Sequence, residues 1–156
     1  MTFDKARRAP IAHLGYGMCA LALAGASLLP AAASARAGEE RWSATSTTAM
    51  AITGDITLSP TRLMAAGKVF PLAVVADVTT FGTARGPQAA RLLRITKRVN
   101  PVLRNGNRLC GAAPVRWIAV YRSDAGKMLN LAAFSGARQP KGESDAGLCG
   151  TFLYAR

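Results

Sequence analysis

Arginine is the residue type best placed to do chemistry in this sequence of 156 residues. No Asp or Glu stands between Asp77 and Asp124, and nine basic residues lie in that interval, eight of them Arg. The guanidinium fork matches carboxylate and phosphate oxygens in pairs, so this interval favours contact with an anion. The alternative is that the arginines only keep the outer face of the protein in water. The candidate anion-binding residues are Arg94, Arg98, Arg104, Arg108, Arg116 and Arg122.

Histidine, the usual general base at neutral pH, is almost missing from the chain. The only histidine is His13, and two cysteines, Cys110 and Cys149, lie beyond the N-terminal region. Serine–histidine and cysteine–histidine catalysis and nearly all zinc sites are therefore excluded from the rest of the chain. A hydrolase that uses the carboxylates of Asp55 and Asp77 alone is the remaining enzymatic alternative. We expect a protein that is not an enzyme and that uses neither a cofactor nor a metal.

The N-terminus has the composition of a secretory signal peptide. Three basic residues precede an apolar stretch over residues 11–29, and small residues follow it up to Ala37. We predict cleavage after Ala37, with cleavage after Ala35 as the second choice, because signal peptidase recognises small residues two positions apart. The alternative is an uncleaved anchor, since this stretch approaches the roughly 20 residues that span a bilayer. The predicted organisation is a signal peptide over 1–37 and one domain over 38–156, periplasmic or secreted.

Composition and cysteine content agree with an exported globular domain. The chain has 20 basic and 8 acidic residues, a net charge of +12, and 50% hydrophobic residues, which excludes a disordered tail. The predicted signal holds four basic residues and one acidic residue, which leaves a net charge of +9 on the remainder. An exported protein most simply pairs its last two cysteines, so we predict a Cys110–Cys149 disulfide. The alternative, a redox-active pair, lacks the C-x-x-C spacing.

Hydrophobic residues after the predicted signal recur with a period of two almost throughout. The predicted strands cover 42–52, 56–59, 69–80, 91–99, 115–122, 128–134 and 148–154. The predicted turns and loops cover 53–55, 81–88, 105–107, 123–126 and 136–147. Helical character is limited to the short stretches 61–66 and 87–93. Because no helix could cross between parallel strands, we predict an all-β fold, a single antiparallel barrel or sandwich of about six to eight strands.

Several single residues have predicted structural roles within this fold. We expect Asp55 to serve a turn and Asp77 to pair with an arginine at a strand edge. The aromatic residues expected in the core or at the mouth of a barrel are Trp42, Trp117, Phe134 and Tyr154. A carrier of a small apolar ligand is one alternative for the function, and it would enclose a dry cavity. The residues expected to line that cavity are Met50, Ile52, Val74 and Trp117.

Two segments resemble an uncharacterised family of small exported proteobacterial proteins. They are TAMAITGDI over 48–56, which follows Trp42, and the ending LCGTFLY over 148–154. This resemblance implies export and no known activity. The segment SGAR over 135–138 is similar to a loop motif of the periplasmic inhibitors of animal-type lysozyme, which are also small β-barrels. Gln139 replaces the Tyr that follows in those inhibitors, and such lysozymes are basic, so long-range repulsion would slow an encounter with this basic chain.

Charge and fold together predict an exported, non-enzymatic β-domain that binds an envelope protein or an anionic envelope polymer through its arginines. The available anions are lipid phosphates, lipopolysaccharide, peptidoglycan carboxylates and extracellular DNA. Nucleic acid is not the expected partner, because few aromatic residues could stack on bases and no recognition helix or RNA-binding signature is present. No transmembrane span is expected after signal cleavage. The alternatives are the apolar-ligand carrier, a lysozyme inhibitor and the carboxylate-only hydrolase.

Overall fold

Eight antiparallel strands make up most of the fold. The computed structural model describes residues 38–156, and the predicted signal peptide lies outside the described residues. The strands are β1 (Glu40–Ala44), β2 (Ile56–Ser59), β3 (Arg62–Ala65), β4 (Lys68–Thr83), β5 (Gly86–Ile95), β6 (Trp117–Ser123), β7 (Met128–Phe134) and β8 (Leu148–Ala155). Each strand pairs with the next, and β8 pairs with β1, so the sheet closes into a barrel. The predicted all-β antiparallel fold is confirmed, as the barrel with eight strands.

The segment after β1 is a helix, α1 (Thr47–Ile52), so the predicted strand over 42–52 is wrong in its second half. The Ser46 hydroxyl accepts a hydrogen bond from the backbone N–H of Ala49 at 3.2 Å, which caps the start of the helix. Ala49 is completely buried, whereas Met50 is 48% exposed. Burial on one side of a helical turn therefore replaces the alternation of a strand.

The predicted loop over 81–88 is instead a tight hairpin, because β4 continues to Thr83 and β5 begins at Gly86. The Thr83 hydroxyl donates to the Gly86 carbonyl at 2.7 Å, and Gly86 adopts a φ of +99°, which favours glycine. Gly82 on this hairpin exchanges backbone hydrogen bonds with the segment 135–147. The glycines and proline that indicate a loop thus serve a turn and a close approach of two backbones.

Other turns lie where the sequence predicts them. Short 3-10 turns at Arg104–Gly106 and Asp124–Gly126 overlap the turns predicted over 105–107 and 123–126. The two stretches with helical character, 61–66 and 87–93, belong to strands β3 and β5. The pairing of β4 with β5 is interrupted by two shifts of register, both within the segment 74–81.

Apolar side chains from every strand fill the interior of the barrel. Trp42, Phe70 and Tyr154 are among the largest of these side chains that are fully buried. Helix α1 and the segment 96–116 close one end of the barrel, where the Tyr154 hydroxyl lies 2.8 Å from the Thr53 hydroxyl. Burial raises the pKa of the Tyr154 phenol well above its ordinary value, against a smaller opposing effect of the hydrogen bond with Thr53. The phenol is therefore neutral, and its only polar group is paired.

Strands β4 to β7 bury a second apolar layer on the outer face of the barrel. The buried members of this outer layer are Phe81, Ala90, Leu92, Trp117, Ala119, Ala132 and Phe134. The rings of Phe81 and Phe134 meet edge to face, with their centroids 6.3 Å apart. The segment 135–147 lies against this side of the sheet, where the Tyr121 hydroxyl donates to Oε1 of Glu143 at 2.7 Å. This part of the sheet is thus buried on both faces.

A disulfide joins Cys110 to Cys149, with their Cα atoms 4.9 Å apart, so the predicted pair is confirmed. Cys110 lies in the segment 96–116 at the closed end, and Cys149 lies near the start of β8. The bond therefore ties the longest connection in the described chain to the last strand. Within residues 38–156, no helix is long and apolar enough to cross a membrane.

Candidate functional site

Three of the six candidate arginines share one depression on the outside of the barrel. Arg94, Arg98 and Arg116 line a cavity of about 230 Å³, together with side chains that include Trp117 and Ala137. The guanidinium carbon of Arg94 lies 5.8 Å from the centre of the Trp117 ring, within the range of a cation–π contact. We name Arg94, Arg98 and Arg116 the arginine cluster.

Strand register brings the arginine cluster together. Arg94 on β5 lies directly opposite Trp117 on β6. Arg116 precedes β6, where its carbonyl accepts from the Ile95 N–H at 2.9 Å and its own N–H donates to the Phe134 carbonyl at 2.8 Å. Backbone hydrogen bonds to β5 and β7 therefore fix Arg116, and its side chain reaches the same depression as Arg94.

The other three candidates lie elsewhere, so the six arginines do not form one surface. Arg104 is at the closed end beside Gly54, where a Cβ would lie only 2.9 Å from its Nη1 atom. Arg108 donates a hydrogen bond to the carbonyl of Asn100. Arg122 is at the opposite, open end of the barrel, next to β1. The fold thus separates the arginines of the interval without carboxylates between the two ends of the barrel.

No carboxylate of the described chain forms an ion pair with the arginine cluster. Within residues 38–156, the ion pairs are Arg62–Glu39, Arg91–Asp77, Arg122–Glu40 and Arg156–Glu40. None of these pairs includes a member of the cluster. The three guanidiniums of the cluster therefore keep their positive charge without a protein carboxylate to neutralise it.

A larger cavity of about 630 Å³ opens at the end of the barrel opposite α1. We name it the mouth cavity; its charged lining residues are Glu40, Asp77, Arg91 and Arg122. Its apolar lining includes Leu58, Leu93, Val120 and Leu129, whose side chains are buried. Side chains alternate along a strand, so Arg122 lies on the same inner side of β6 as Val120. The cavity therefore has an apolar wall below a charged rim.

Glu40 is held at this rim by three donors. Nη2 of Arg122 lies 2.6 and 2.7 Å from its two oxygens, and Nη2 of Arg156 lies 3.0 Å from Oε2. Nε1 of Trp42 donates to Oε2 at 3.1 Å. The guanidinium carbons of Arg122 and Arg156 also lie 5.3 and 4.3 Å from the centre of the Trp42 ring. The Glu40 carboxylate and the Trp42 ring therefore both contact the guanidiniums of Arg122 and Arg156.

Sequence reasoning named Trp42 and Arg122 but missed the partners Glu40 and Arg156. A usable signal was present at the strand ends. Glu40 precedes the inward-facing Trp42 by two positions, and Arg156 follows the inward-facing Tyr154 by two positions. A charged residue in phase with buried residues at the end of a barrel strand indicates a place at the rim.

Asp77 pairs with Arg91, so its predicted arginine partner is confirmed. Nε and Nη2 of Arg91 lie 2.7 and 3.0 Å from the two oxygens of Asp77. The hydrogen bonds from Arg91 lower the pKa of Asp77. At Glu40, burial raises the pKa, but the hydrogen bonds from its three donors together outweigh this and the pKa is lowered. Both shifts favour the ionised form of the carboxylate in its ion pair.

Acid is expected to weaken the fold through Glu40. The ordinary pKa of 4.5 applies to the unfolded chain, and the folded value is lower. Below pH 4.5 the unfolded chain binds a proton that the folded chain does not, so the free energy of unfolding decreases as the pH falls. Melting temperatures measured from neutral pH down to about pH 3 should fall less steeply for Glu40→Gln than for the wild type. The two proteins share every other carboxylate, so equal slopes would contradict the assignment.

The residues predicted to line the cavity of a ligand carrier are in the wrong places. Met50 on α1 and Val74 on β4 are exposed, and Trp117 belongs to the outer layer. Only Ile52 contacts the interior. The prediction failed because the interior is filled by other side chains, and the room for a ligand lies at the mouth cavity. The four aromatic residues predicted for the core, by contrast, are all buried.

The segment that resembles a lysozyme-inhibitor loop borders the arginine cluster. The N–H of Ser135 donates to the Gly147 carbonyl at 2.9 Å, which closes the base of the segment 135–147. Ala137 lines the depression of the cluster, and Arg138 lines a separate cavity of about 580 Å³. The segment therefore presents its arginine beside the cluster rather than within it.

Neither a metal site nor a known relative indicates the function. The described part of the chain contains no group of three or more His, Cys, Asp or Glu side chains that could hold a metal ion. No protein-family model, no curated protein and no solved structure matches the chain. The two resemblances seen in the sequence stay predictions, and the geometry of the two cavities must indicate what the protein binds.

Proposed function

We propose that residues 38–156 are an exported, non-catalytic domain that binds an anionic polymer of the cell envelope at the arginine cluster. The observation that carries this proposal is the convergence of Arg94, Arg98 and Arg116 on one depression, with no carboxylate partner among the described residues. The disulfide supports export, because such bonds persist mainly in oxidising compartments.

The size of the depression supports a polymer rather than a free small molecule. Its volume of about 230 Å³ lies below the roughly 300–1,000 Å³ of a pocket that encloses a small ligand. It has room for one phosphate or carboxylate group of a larger molecule, which the guanidiniums could grip in pairs of hydrogen bonds. A polymer such as lipopolysaccharide repeats such groups and would gain from the surplus positive charge around the depression.

Salt-dependent retention tests this proposal. We expect the protein to bind heparin and lipopolysaccharide, with an affinity that falls steeply from about 50 to about 200 mM salt, because bound cations release counterions from the polymer. The triple variant Arg94→Ala, Arg98→Ala, Arg116→Ala should bind more weakly and lower the slope of log affinity against log salt by about one for each arginine removed. Affinities are measured by titration at several salt concentrations.

A second triple variant provides the matched control. Arg41→Ala, Arg85→Ala and Lys127→Ala remove the same charge from exposed positions outside the cluster. These substitutions should leave most of the affinity in place. A flat salt response of the wild type, or equal losses in the two triple variants, would contradict binding at the cluster. Replacing the cluster by three lysines should recover the slope but only part of the affinity, since lysine keeps the charge and loses the fork.

A further inference from the structure

We propose that the mouth cavity binds a small amphiphile with one negatively charged head group, a carboxylate or a phosphate, and an apolar chain. The head group would contact Arg91 and Arg122 at the rim, and the chain would lie against the leucines of the wall. This site is at the opposite end of the barrel from the helix α1, and the inference does not rest on the function proposed for the arginine cluster.

The size and lining of the mouth cavity suit such a molecule. A volume of about 630 Å³ lies within the range of pockets that hold small ligands. The apolar lining residues Leu58, Leu93 and Leu129 are buried beneath the charged rim. The barrel interior below them is filled, so the cavity offers a shallow apolar wall and not a deep channel. An apolar chain placed there would lose contact with water without displacing the core.

Both rim arginines keep hydrogen-bond donors for a ligand. Arg91 uses Nε and Nη2 for Asp77, and no atom within residues 38–156 accepts a hydrogen bond from its Nη1. Arg122 uses Nη2 for Glu40, and its Nε and Nη1 likewise have no acceptor in the described chain. Both side chains are about half exposed, at 47% and 46%. A bound anion could therefore accept from each arginine without breaking either ion pair.

The free hydrogen-bond donors at the rim select the sign of the head group. The charged residues that line the cavity balance, since Arg91 and Arg122 face the carboxylates of Asp77 and Glu40. Both carboxylates are paired, whereas the open donors belong to the two arginines, so an anionic head group finds partners there. A cationic head group would be repelled by the arginines and would find no unpaired carboxylate in the lining, and an uncharged head group would form weaker hydrogen bonds with the open donors.

Calorimetric titration with single-chain amphiphiles tests the inference. Dodecanoate and dodecyl phosphate are the two probes, and dodecanol and dodecyltrimethylammonium carry the same chain with no charge and with positive charge. We expect saturable binding of at least one anionic probe and much weaker binding of the other two molecules. Binding of dodecanoate alone assigns a carboxylate head group, and binding of dodecyl phosphate alone assigns a phosphate; binding of both assigns a site for either.

Two variants and one control locate the binding. Arg122→Ala should lower the affinity for the anionic probe about 10- to 100-fold, which corresponds to the loss of hydrogen bonds to a charged group. Ala89→Phe keeps every charge but places a ring in the lining, so it should also weaken binding. This second variant is needed because Arg122→Ala also removes a partner of Glu40. Arg41→Ala removes an exposed arginine of β1 that does not line the cavity, and this variant should bind the probe as the wild type does.

Tryptophan fluorescence gives an independent readout of position. The sequence has two tryptophans, so the emission of a Trp117→Phe protein comes from Trp42, which Arg122 and Arg156 cover. Binding of the anionic probe should change this emission. The affinity obtained from the fluorescence titration should agree with the affinity found by calorimetry. Failure of both anionic probes to bind, binding of dodecanol as tight as theirs, or unchanged affinity in both Arg122→Ala and Ala89→Phe would overturn the inference.

Discussion

Replacing Cys110 and Cys149 with serine is expected to lower the free energy of unfolding by about 4 kcal/mol. The disulfide closes a loop with a sequence separation of 39, and without it the unfolded chain gains the freedom to separate the two ends of that loop. A domain of this size is stable by roughly 5–15 kcal/mol, so the loss removes a large share of the total. Urea denaturation should show the loss, and the melting temperature should fall by roughly 10–20 °C.

Reduction of the wild type provides the control for this variant. A reductant should destabilise the wild type by a similar amount and should not change the double variant. Reduction should also make the 96–116 connection more sensitive to limited proteolysis, because Cys110 anchors this connection over the closed end of the barrel. A double variant with the wild-type denaturation midpoint would contradict a stabilising role for the bond.

Phe134→Ala is expected to cost about 3–5 kcal/mol, the usual loss for a fully buried phenylalanine. The ring is 1% exposed although it lies on the outer face of the barrel, and it meets Phe81 edge to face. If this outer layer is a second core, its central ring should matter as much as one in the barrel interior. The segment 135–147 lies against the same side of the sheet, so it should also become more sensitive to limited proteolysis.

An exposed residue of β4 provides the control for Phe134. Val75→Ala on β4 removes an apolar side chain that is 44% exposed, so its effect should stay within about 0.5 kcal/mol. The loss of stability in Phe134→Leu should lie between those of Phe134→Ala and Val75→Ala, since leucine fills part of the space of the ring. A loss below about 1 kcal/mol for Phe134→Ala would mean that the outer layer adds little to stability.

The strands were predictable where apolar alternation is bounded by clear turn residues. The strand predicted over 128–134 has the bounds of β7, since Gly126 ends the preceding turn and Gly136 follows closely. The disulfide was predictable from the number of cysteines beyond the predicted signal. These features depend on residues close in sequence or on simple counting.

Helix α1 was not predictable in the same way. Its six residues are Ala, Thr, Met and Ile, which carry no strong helical pattern. The capping residue Ser46 is also used by the end of the chain, because its hydroxyl accepts a hydrogen bond from the N–H of Leu153 at 3.1 Å. A contact across more than a hundred residues leaves no trace in a local pattern of hydrophobicity.

The sequence indicated which arginines to consider but not which of them lie together. The interval without carboxylates contains Arg94, Arg98 and Arg116, and their convergence depends on how Arg116 bonds to β5 and β7. Arg122 comes from the same interval, but the direction of β6 carries it to the other end of the barrel. Which arginines meet is decided by strand register, and register depends on pairing partners distant in sequence.

The two register shifts in β4 bear on the risk that this protein aggregates through its sheet. β4 pairs with β3 only through its first four residues, so in the described chain one side of β4 then runs without a neighbouring strand as far as Gly82. An unpaired side of this kind can recruit a strand from another molecule, and many proteins place cations there to repel it. Here the shifts within 74–81 bend the strand and break its regular spacing of donors and acceptors. We expect this irregular backbone to make the unpaired side of β4 a poor template for a strand of another molecule.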